Sequence, residues 1–438
     1  MKEKAKGERG LFSGKIGFVL SAAGASVGLG NIWRFPYLAS KYGGGIFLLV
    51  YIVLACTFGF SMIIAETAIG RMTRKSPVGA FRFFGTSRLL RAGGWINAII
   101  PLLIVPYYSV IGGWVLKYLV QYILGHGRAL ADDGYFASFI SDGISPLVYF
   151  IAFALMTLYI VYRGVRNGIE KVSKAMMPVL VVLSLIITVY SVTRPGAFEG
   201  VKYFLIPDPS RFSWMTVVSA MGQMFYSLSI AMGILITFGS YMKDDTSIEG
   251  STESVEIFDT AIAILAGLMI IPAVFAFSSG DPEKLQAGPS LMFITIPKVF
   301  ESMGFGSAIG IVFFTLVLFA ALTSSIALTE SAVSTFQDEL GWTRHRSSAA
   351  VGAIMLVLGS LSALGYGPLG SVRVIGMQFL DFFDFLTNSV MMPIAAVAIC
   401  FLSSIAIGTD RIEREILKGE ERFRRKGLFS FMIRYVCP

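Results

Sequence analysis

Residues 24–31, Gly-Ala-Ser-Val-Gly-Leu-Gly-Asn, interrupt an apolar stretch that would otherwise form one membrane-spanning helix. Ile16-Gly-Phe-Val-Leu-Ser-Ala-Ala23 precedes them and Ile32-Trp-Arg-Phe-Pro-Tyr37 follows. Gly28 and Gly30 weaken the helix, and Pro36 removes a backbone donor near its end. In hydrocarbon an unpaired carbonyl costs several kcal/mol, so a broken helix persists only where protein, water or an ion meets the freed groups. A break at membrane depth is therefore a candidate ion and solute site. Small residues for close helix packing are the competing reading.

The rest of the chain sets the environment. With 55% hydrophobic residues, 15% charged residues and a mean hydropathy of +0.71 over 438 residues, it is too apolar for a soluble globule. The fold class expected is an all-α polytopic membrane protein. Apolar runs of spanning length lie near 16–40, 43–69, 93–124, 147–162, 169–192, 214–240, 257–278, 305–336, 347–366 and 380–407, about ten in all. No cleavable signal peptide is expected, because the N-terminus is basic (Lys2, Lys4, Lys6, Arg9) and no small-residue cleavage site follows a short apolar core.

Loop charge orients the spans. Arg71, Arg74, Lys75, Arg82, Arg88 and Arg91 fall in one loop with no acid. Arg163, Arg166, Lys171 and Lys174 fall in another, and Arg344 with Arg346 in a third. Ten spans put all of these on the side of the N-terminus, whereas Asp132, Asp133, Asp142, Asp281 and Glu283 face the opposite side. A cytoplasmic N-terminus in the cell membrane follows. The net charge of +8 is thus a topology signal and not a mark of nucleic-acid binding. Cys56, Cys400 and Cys437 have no metal spacing and no disulfide framework, and His126 and His345 fall in solvated loops. After a charged loop from Asp410 to Lys426, residues 428–438 read either as the lead-in to another span or as an interfacial tail.

A second interruption follows about 200 residues after the first, at Gly222-Gln-Met-Phe-Tyr-Ser-Leu-Ser-Ile-Ala-Met-Gly233. The first and sixth spans each open a half of five spans, and an odd number inverts one half relative to the other. Paired broken helices in two inverted repeats point to the central site of a transporter. The expected organisation is a segment 1–13 in the cytoplasm, a ten-helix core 14–407 made of repeats 14–193 and 213–407, and a loop and tail 408–438.

These motifs resemble the neurotransmitter:sodium symporter family, in its bacterial amino-acid branch. The resemblance rests on Gly-Leu-Gly-Asn-Ile-Trp-Arg-Phe-Pro (28–36), Glu66 in Ala-Glu-Thr-Ala-Ile-Gly-Arg (65–71), Tyr107-Tyr108, Gly222-Gln-Met-Phe-Tyr-Ser-Leu-Ser and Leu322-Thr-Ser-Ser-Ile-Ala327. It covers residues 9 to about 405. It implies a five-plus-five inverted-repeat core, no enzymatic activity, and Na+-driven uptake of a small-molecule solute across the lipid bilayer by alternating access. Oligomeric state stays open.

The same resemblance assigns residues. One Na+ would sit between Thr323, Ser324 and the carbonyls of Gly24, Val27 and Ala320. A second would use Asn31, the Ser26 carbonyl, Ser227, Asp259 and the substrate carboxylate. Hydroxyls bonded back to the preceding turn are the alternative for Thr323 and Ser324, and a solvated helix-end acid is the alternative for Asp259. The solute pocket would be lined by Ala25, Ser26, Gly28, Gly30, Ile104, Tyr108, Tyr226, Ser229, Met232, Ser324 and Leu328. Gly28 replaces the aspartate of amine-transporting members, which implies a neutral amino acid that brings its own carboxylate. Asp259 replaces an asparagine of chloride-dependent members, and Ala263 a serine one turn later, so no chloride requirement is expected.

Arg34, Asp384 and Gln223 would gate the outside. Arg9 and Asp338 would gate the inside, near Ser240 and Tyr241, although arginines and aspartates at membrane ends also serve as plain anchors. Gly168 and Pro178 suggest a fifth helix whose inner end can unwind. Gly112 stands where some relatives carry a glutamate, and the flexible Met232 replaces an aromatic residue, which leaves room for aromatic as well as aliphatic solutes. A proton-coupled transporter of the same architecture and an amino-acid-sensing receptor are the remaining alternatives.

Overall fold

The computed structural model describes residues 10–278, 289–302 and 304–437, which are helical almost throughout. Arg9, the N-terminal lysines, Asp281 and Glu283 lie outside the described residues. Among the described residues eight helices are long and apolar enough to cross a bilayer: Gly45–Thr73, Arg88–Ile123, Ser145–Tyr162, Val165–Val192, Ile248–Ser278, Gly306–Leu340, Arg344–Leu364 and Phe379–Ile407. Ahead of them stands a bent pair, Lys15–Ser26 and Gly30–Lys41, at 51°. Between Val192 and Ile248 lies a second pair, Trp214–Ser227 and Ile234–Ser240, separated by residues 228–233. Among the described residues the first bent pair raises the eight to nine, and counting the Trp214–Ser240 pair as one further broken span gives the ten expected, with the first and sixth broken. The third and eighth are the most enclosed, and the fourth and fifth turn most of their surface outward.

The basic loops gather at one end. Arg74 bonds the Met242 carbonyl, Arg82 reaches Glu339 at 2.7 Å, and Lys174 reaches the Ser13 hydroxyl at 3.0 Å. At the other end Tyr203 donates to the Ser40 carbonyl, and Lys298 pairs with Asp133.

Three starts differ from the sequence expectation. The third span begins at Arg88 and the fifth at Val165, a few residues early in each case. The seventh begins at Ile248, well before 257, because Glu249, Glu253 and Glu256 read as loop. Their charges are matched within the fold. The buried Glu249 carboxylate accepts the backbone N–H groups of Arg424 and Arg425 at 2.9 and 2.8 Å, and Glu253 pairs with Arg424 at 2.7 Å. Asp259 consequently lies well inside its helix and is wholly buried, which removes the solvated helix-end alternative.

The segment after the tenth span is also more ordered than its charge suggested. Thr409–Ile416 is a helix, and Glu415 lies under the second span, where it meets the fully buried Arg71 at 2.8 Å. Arg71 also donates to the Thr246 carbonyl at 2.6 Å. A buried guanidinium is tolerated only when its donors are matched in this way. Lys426–Phe431 and Met432–Val436 continue as helix, with Phe429, Met432 and Ile433 buried.

Glycine sets how closely the second span approaches the inner half of the sixth. A Cβ on Gly70 would lie 2.0 Å from the Ile236 carbonyl oxygen, and one on Gly239 would lie 2.4 Å from that of Thr67. Overpacking of this kind costs about 1–3 kcal/mol. Gly70→Ala should therefore lower the melting temperature in detergent by several degrees. Gly222→Ala, with nothing within 4 Å of its Cβ, should leave it unchanged or raise it slightly. Equal melting of the Gly70 variant and the parent would remove the close-packing role.

Candidate functional site

The first helix ends at Ser26, and Val27 turns to φ −77°, ψ 91°, which leaves nearby carbonyls without helical donors. The eighth span brings Ser324 to meet them. Its Oγ lies 3.1 Å from the Ala25 carbonyl, 3.3 Å from that of Gly24 and 3.5 Å from that of Val27. In the sixth span, Ser229 and Ala231 take left-handed backbone at φ 55° and 60°, followed by Gly233 at 69°. Non-glycine residues in that region cost on the order of 1–3 kcal/mol and persist where their surroundings hold them. Here Ser229 Oγ donates to the Ala25 carbonyl at 3.1 Å, and the Ala231 N–H donates to Glu66 Oε1 at 2.8 Å. The two breaks are thus bonded to each other and to the second span.

They enclose a cavity lined by Ala25, Ser26, Gly28, Gly30, Asn31, Ile104, Tyr108, Tyr226, Ser229, Met232, Ile234, Ser324 and Leu328. All the solute-pocket residues expected from the sequence lie on its wall. As closed here its water-accessible volume is about 20 Å³, room for about one water. A solute must therefore displace side chains to enter, and Met232 and Tyr226 are the flexible and rotatable ones. At the polar end the Leu29 N–H donates to the Tyr108 hydroxyl at 3.2 Å. Among the described residues no ionised side chain lines the cavity.

Beside it lies a buried acid with three donors. Asn31 Nδ2 and the Ser227 hydroxyl donate to Asp259 Oδ1 at 2.8 and 2.6 Å, and the Tyr51 hydroxyl donates to Oδ2 at 2.6 Å. These residues offer oxygens suited to a small hard cation. Asn31 Oδ1 also accepts the Gly28 N–H at 3.4 Å. The Ser26 hydroxyl turns back to donate to the Ala22 carbonyl at 3.1 Å. Thr323 Oγ1 likewise bonds the Phe319 and Ala320 carbonyls at 3.0 and 3.1 Å. Its Cβ nonetheless faces Gly24, where an added Cβ would lie only 3.2 Å away. Thr323 Oγ1 thus stands beside the Ala320 carbonyl, the eighth-span oxygen expected to share its ion, with its lone pairs still open to a cation.

On the outer side the Arg34 guanidinium lies 5.3 Å above the Tyr226 ring. Asp384 accepts from the Tyr107 hydroxyl at 3.2 Å and from Asn388 at 2.6 Å. Gln223 Nε2 donates to the Gly30 carbonyl at 3.0 Å. On the inner side Asp338 accepts the Ser76 N–H at 2.6 Å, and its expected partner Arg9 lies outside the described residues. The Tyr241 hydroxyl donates to Glu330 at 2.7 Å, and Arg344 binds that carboxylate as well. Phe12 plugs this end, its ring edge-on to Phe18, Phe238 and Tyr241. The fifth helix is wound at its inner end, with Val165–Glu170 in wide turns and Gly168 packed on the Ile160 carbonyl.

Sequence reasoning missed Tyr51, Ile234, Phe12 and Asn388. Tyr51 alone carried a signal: it is an isolated hydroxyl in the run Gly45–Leu54, and a polar group inside a span needs a partner.

Comparison with known proteins agrees with this architecture. A family model, the sodium:neurotransmitter symporter family, matches residues 9–126 and 141–438. An uncharacterized sodium-dependent transporter of Bacillus subtilis, YhdH, is 34% identical over 98% of this chain and 95% of its own length. The sodium- and chloride-dependent GABA transporter 2 of Macaca fascicularis is 29% identical over 77% of this chain and 63% of its own. Among solved structures, that of MhsT in complex with L-phenylalanine superposes with a TM-score of 0.88 at 36% identity, covering 98% of this chain and 97% of that one. With paired broken helices around a common cavity and a family match over nearly its whole length, the chain belongs to the sodium:neurotransmitter symporter family and is a sodium-dependent symporter.

Proposed function

We propose that this symporter carries a neutral, hydrophobic L-amino acid inward together with two Na+ ions, by alternating access, without chloride and with its N-terminus in the cytoplasm. An aromatic amino acid is the first choice and leucine or methionine the second. The observation that carries this reading is a cavity with one polar end, one apolar end and, among the described residues, no ionised side chain on its wall. A zwitterion satisfies such a wall because it brings both charges. Its carboxylate would meet the first-span amides and the Tyr108 hydroxyl, and a Na+ beside Asn31 would offset its burial. Its side chain would lie among Ile104, Met232, Ile234 and Leu328. The L-phenylalanine complex of MhsT supports the aromatic choice.

Gly28 sets the solute class. A Cβ there would approach Ser324 Oγ to 2.6 Å and the Tyr108 hydroxyl to 3.0 Å, so the position has room for a substrate carboxylate only while it stays glycine. Inward transport then needs Tyr226 and Arg34 to close above the solute and Phe12 to leave from below.

Uptake of radiolabelled phenylalanine, tyrosine and leucine into proteoliposomes tests this. An inward Na+ gradient should drive accumulation, and replacing chloride with gluconate should leave it nearly unchanged. Tyramine, which lacks the carboxylate, should compete at least about tenfold more weakly than tyrosine, since a lost hydrogen bond to a charged group is worth about 1.5–3 kcal/mol. Equal competition by tyramine would overturn the amino-acid assignment.

A further inference from the structure

Glu170 is a buried carboxylate that neither the solute nor an ion uses. It closes the wide turns at the inner end of the fifth span, Val165–Glu170, and is 2% exposed. A carboxylate in that setting is costly unless charge and donors meet it. Lys174, on its own helix, lies at 2.6 Å. The remaining donors come from the lead-in to the first span, 157 residues away in the chain.

The Ser13 N–H donates to Glu170 Oε2 at 2.9 Å, and the Ser13 hydroxyl donates to Oε1. Lys174 Nζ reaches that hydroxyl oxygen at 3.0 Å, and Lys243 Nζ donates to the Ser13 carbonyl at 3.0 Å. Every polar atom of Ser13 is thus held from outside its own segment. Four residues on, the first helix seats on the same acid, where a Cβ at Gly17 would lie 2.5 Å from the carboxylate carbon. An i,i+4 pair with a lysine that is 40% exposed contributes little by itself. The first span, and not Lys174, is what buries Glu170.

The contact reaches the ion sites through a stiff element. Lys15–Ser26 is one unbroken helix of 12 residues, about 18 Å long at 1.5 Å per residue. Its far end carries the Gly24 and Ala25 carbonyls that face Ser324. Displacement at Ser13 is therefore passed along the rod to those carbonyls. Phe12 is the next residue in the chain, and its N–H donates to the Tyr241 carbonyl at 3.0 Å, so plug and Ser13 leave together.

We propose that Glu170 is a positioning residue for ion retention. Its carboxylate latches the lead-in of the first span onto the fifth, and release of this latch precedes opening of the Thr323–Ser324 site to the cytoplasm. The inference rests on the alternating-access reading above. Lys174 stays with the acid when Ser13 departs, so the charge is never left unpaired, and water replaces the lost donors.

Hydrogen–deuterium exchange of the full chain in detergent, with and without Na+, tests this. In the parent, Na+ should slow exchange in residues 11–26. Glu170→Gln removes the charge and one acceptor. It should speed exchange there at least about tenfold, as loss of hydrogen bonds to a charged group implies. It should also slow exchange in residues 30–41, the outer half of the same span, because opening inside closes outside. Local loosening would change the first segment alone. The Na+ concentration that half-protects residues 11–26 should rise by a similar factor, since the ion-retaining population falls. Glu170→Asp, which keeps the charge, should recover part of both effects, and Lys171→Gln should match the parent. S13A/K174Q, altered only at exposed positions, should shift both segments in the same directions as Glu170→Gln and decides the matter if that variant does not fold. Unchanged exchange in residues 30–41 in both variants, or a Lys171→Gln effect equal to that of Glu170→Gln, would overturn the latch and leave alternating access standing. No Na+ effect on either segment of the parent would overturn both.

Discussion

Asp259→Asn should reduce Na+-driven uptake at least a hundredfold, and Ala263→Ser added to it should restore part of the loss only when chloride is present. The carboxylate accepts from Asn31, Ser227 and Tyr51 and is wholly buried. An amide keeps one acceptor oxygen, turns the other position into a donor and removes the negative charge. Hydrogen bonds to charged groups contribute about 1.5–3 kcal/mol each, and two of them exceed the 2.7 kcal/mol or so that corresponds to a hundredfold. Buried Na+ and a substrate ammonium also need a compensating anion in low dielectric. In the double variant a chloride held by the hydroxyl introduced at position 263 would supply it. Chloride replacement by gluconate is the measurement. Strong chloride dependence of the parent protein would refute charge replacement by Asp259.

Substituting both Thr323 and Ser324 by alanine should weaken apparent Na+ affinity at least tenfold, at about 1 kcal/mol or more for each oxygen ligand lost. Ser324 should dominate, because its hydroxyl already lies within reach of three first-span carbonyls. The Thr323 hydroxyl bonds carbonyls of its own helix rather than those of the first span, so its single substitution should cost less. Na+ titration of substrate binding on folded variants distinguishes the two. An unchanged titration in the double variant would leave these residues a packing role only.

Much of this architecture was legible because glycine and serine are conspicuous inside apolar runs. The residues 24–31 and 222–233 announced both breaks, and an odd number of spans in each half implied inversion. What escaped notice lay where one part of the chain satisfies another. Glu249 reads as loop until Arg424 and Arg425 supply its donors, and Arg71 reads as a loop base until Glu415 is placed beneath it. Tyr51 is one tyrosine among many until Asp259 stands beside it. Phe12 is one apolar residue in a short polar lead-in, and only Phe18, Phe238 and Tyr241 make it a plug. Periodicity reports what a residue wants, whereas these positions depend on who supplies it from far along the chain.

The seam of glycines between the second span and the inner half of the sixth has a mechanical consequence. There backbone touches backbone, at Gly70 on Ile236 and at Gly239 on Thr67, with no side chain between to slide or rotate. The first span's inner half is held differently, by the Phe12 ring and by the Ser13 N–H on Glu170 at 2.9 Å. Rings can withdraw and a carboxylate can exchange its donor for water, but a welded backbone contact does neither. The two breaks are therefore unequal joints. On the proposed transport cycle the sixth-span bend should travel with the second span as a fixed elbow, and the inner half of the first span should be the part that swings as a lever.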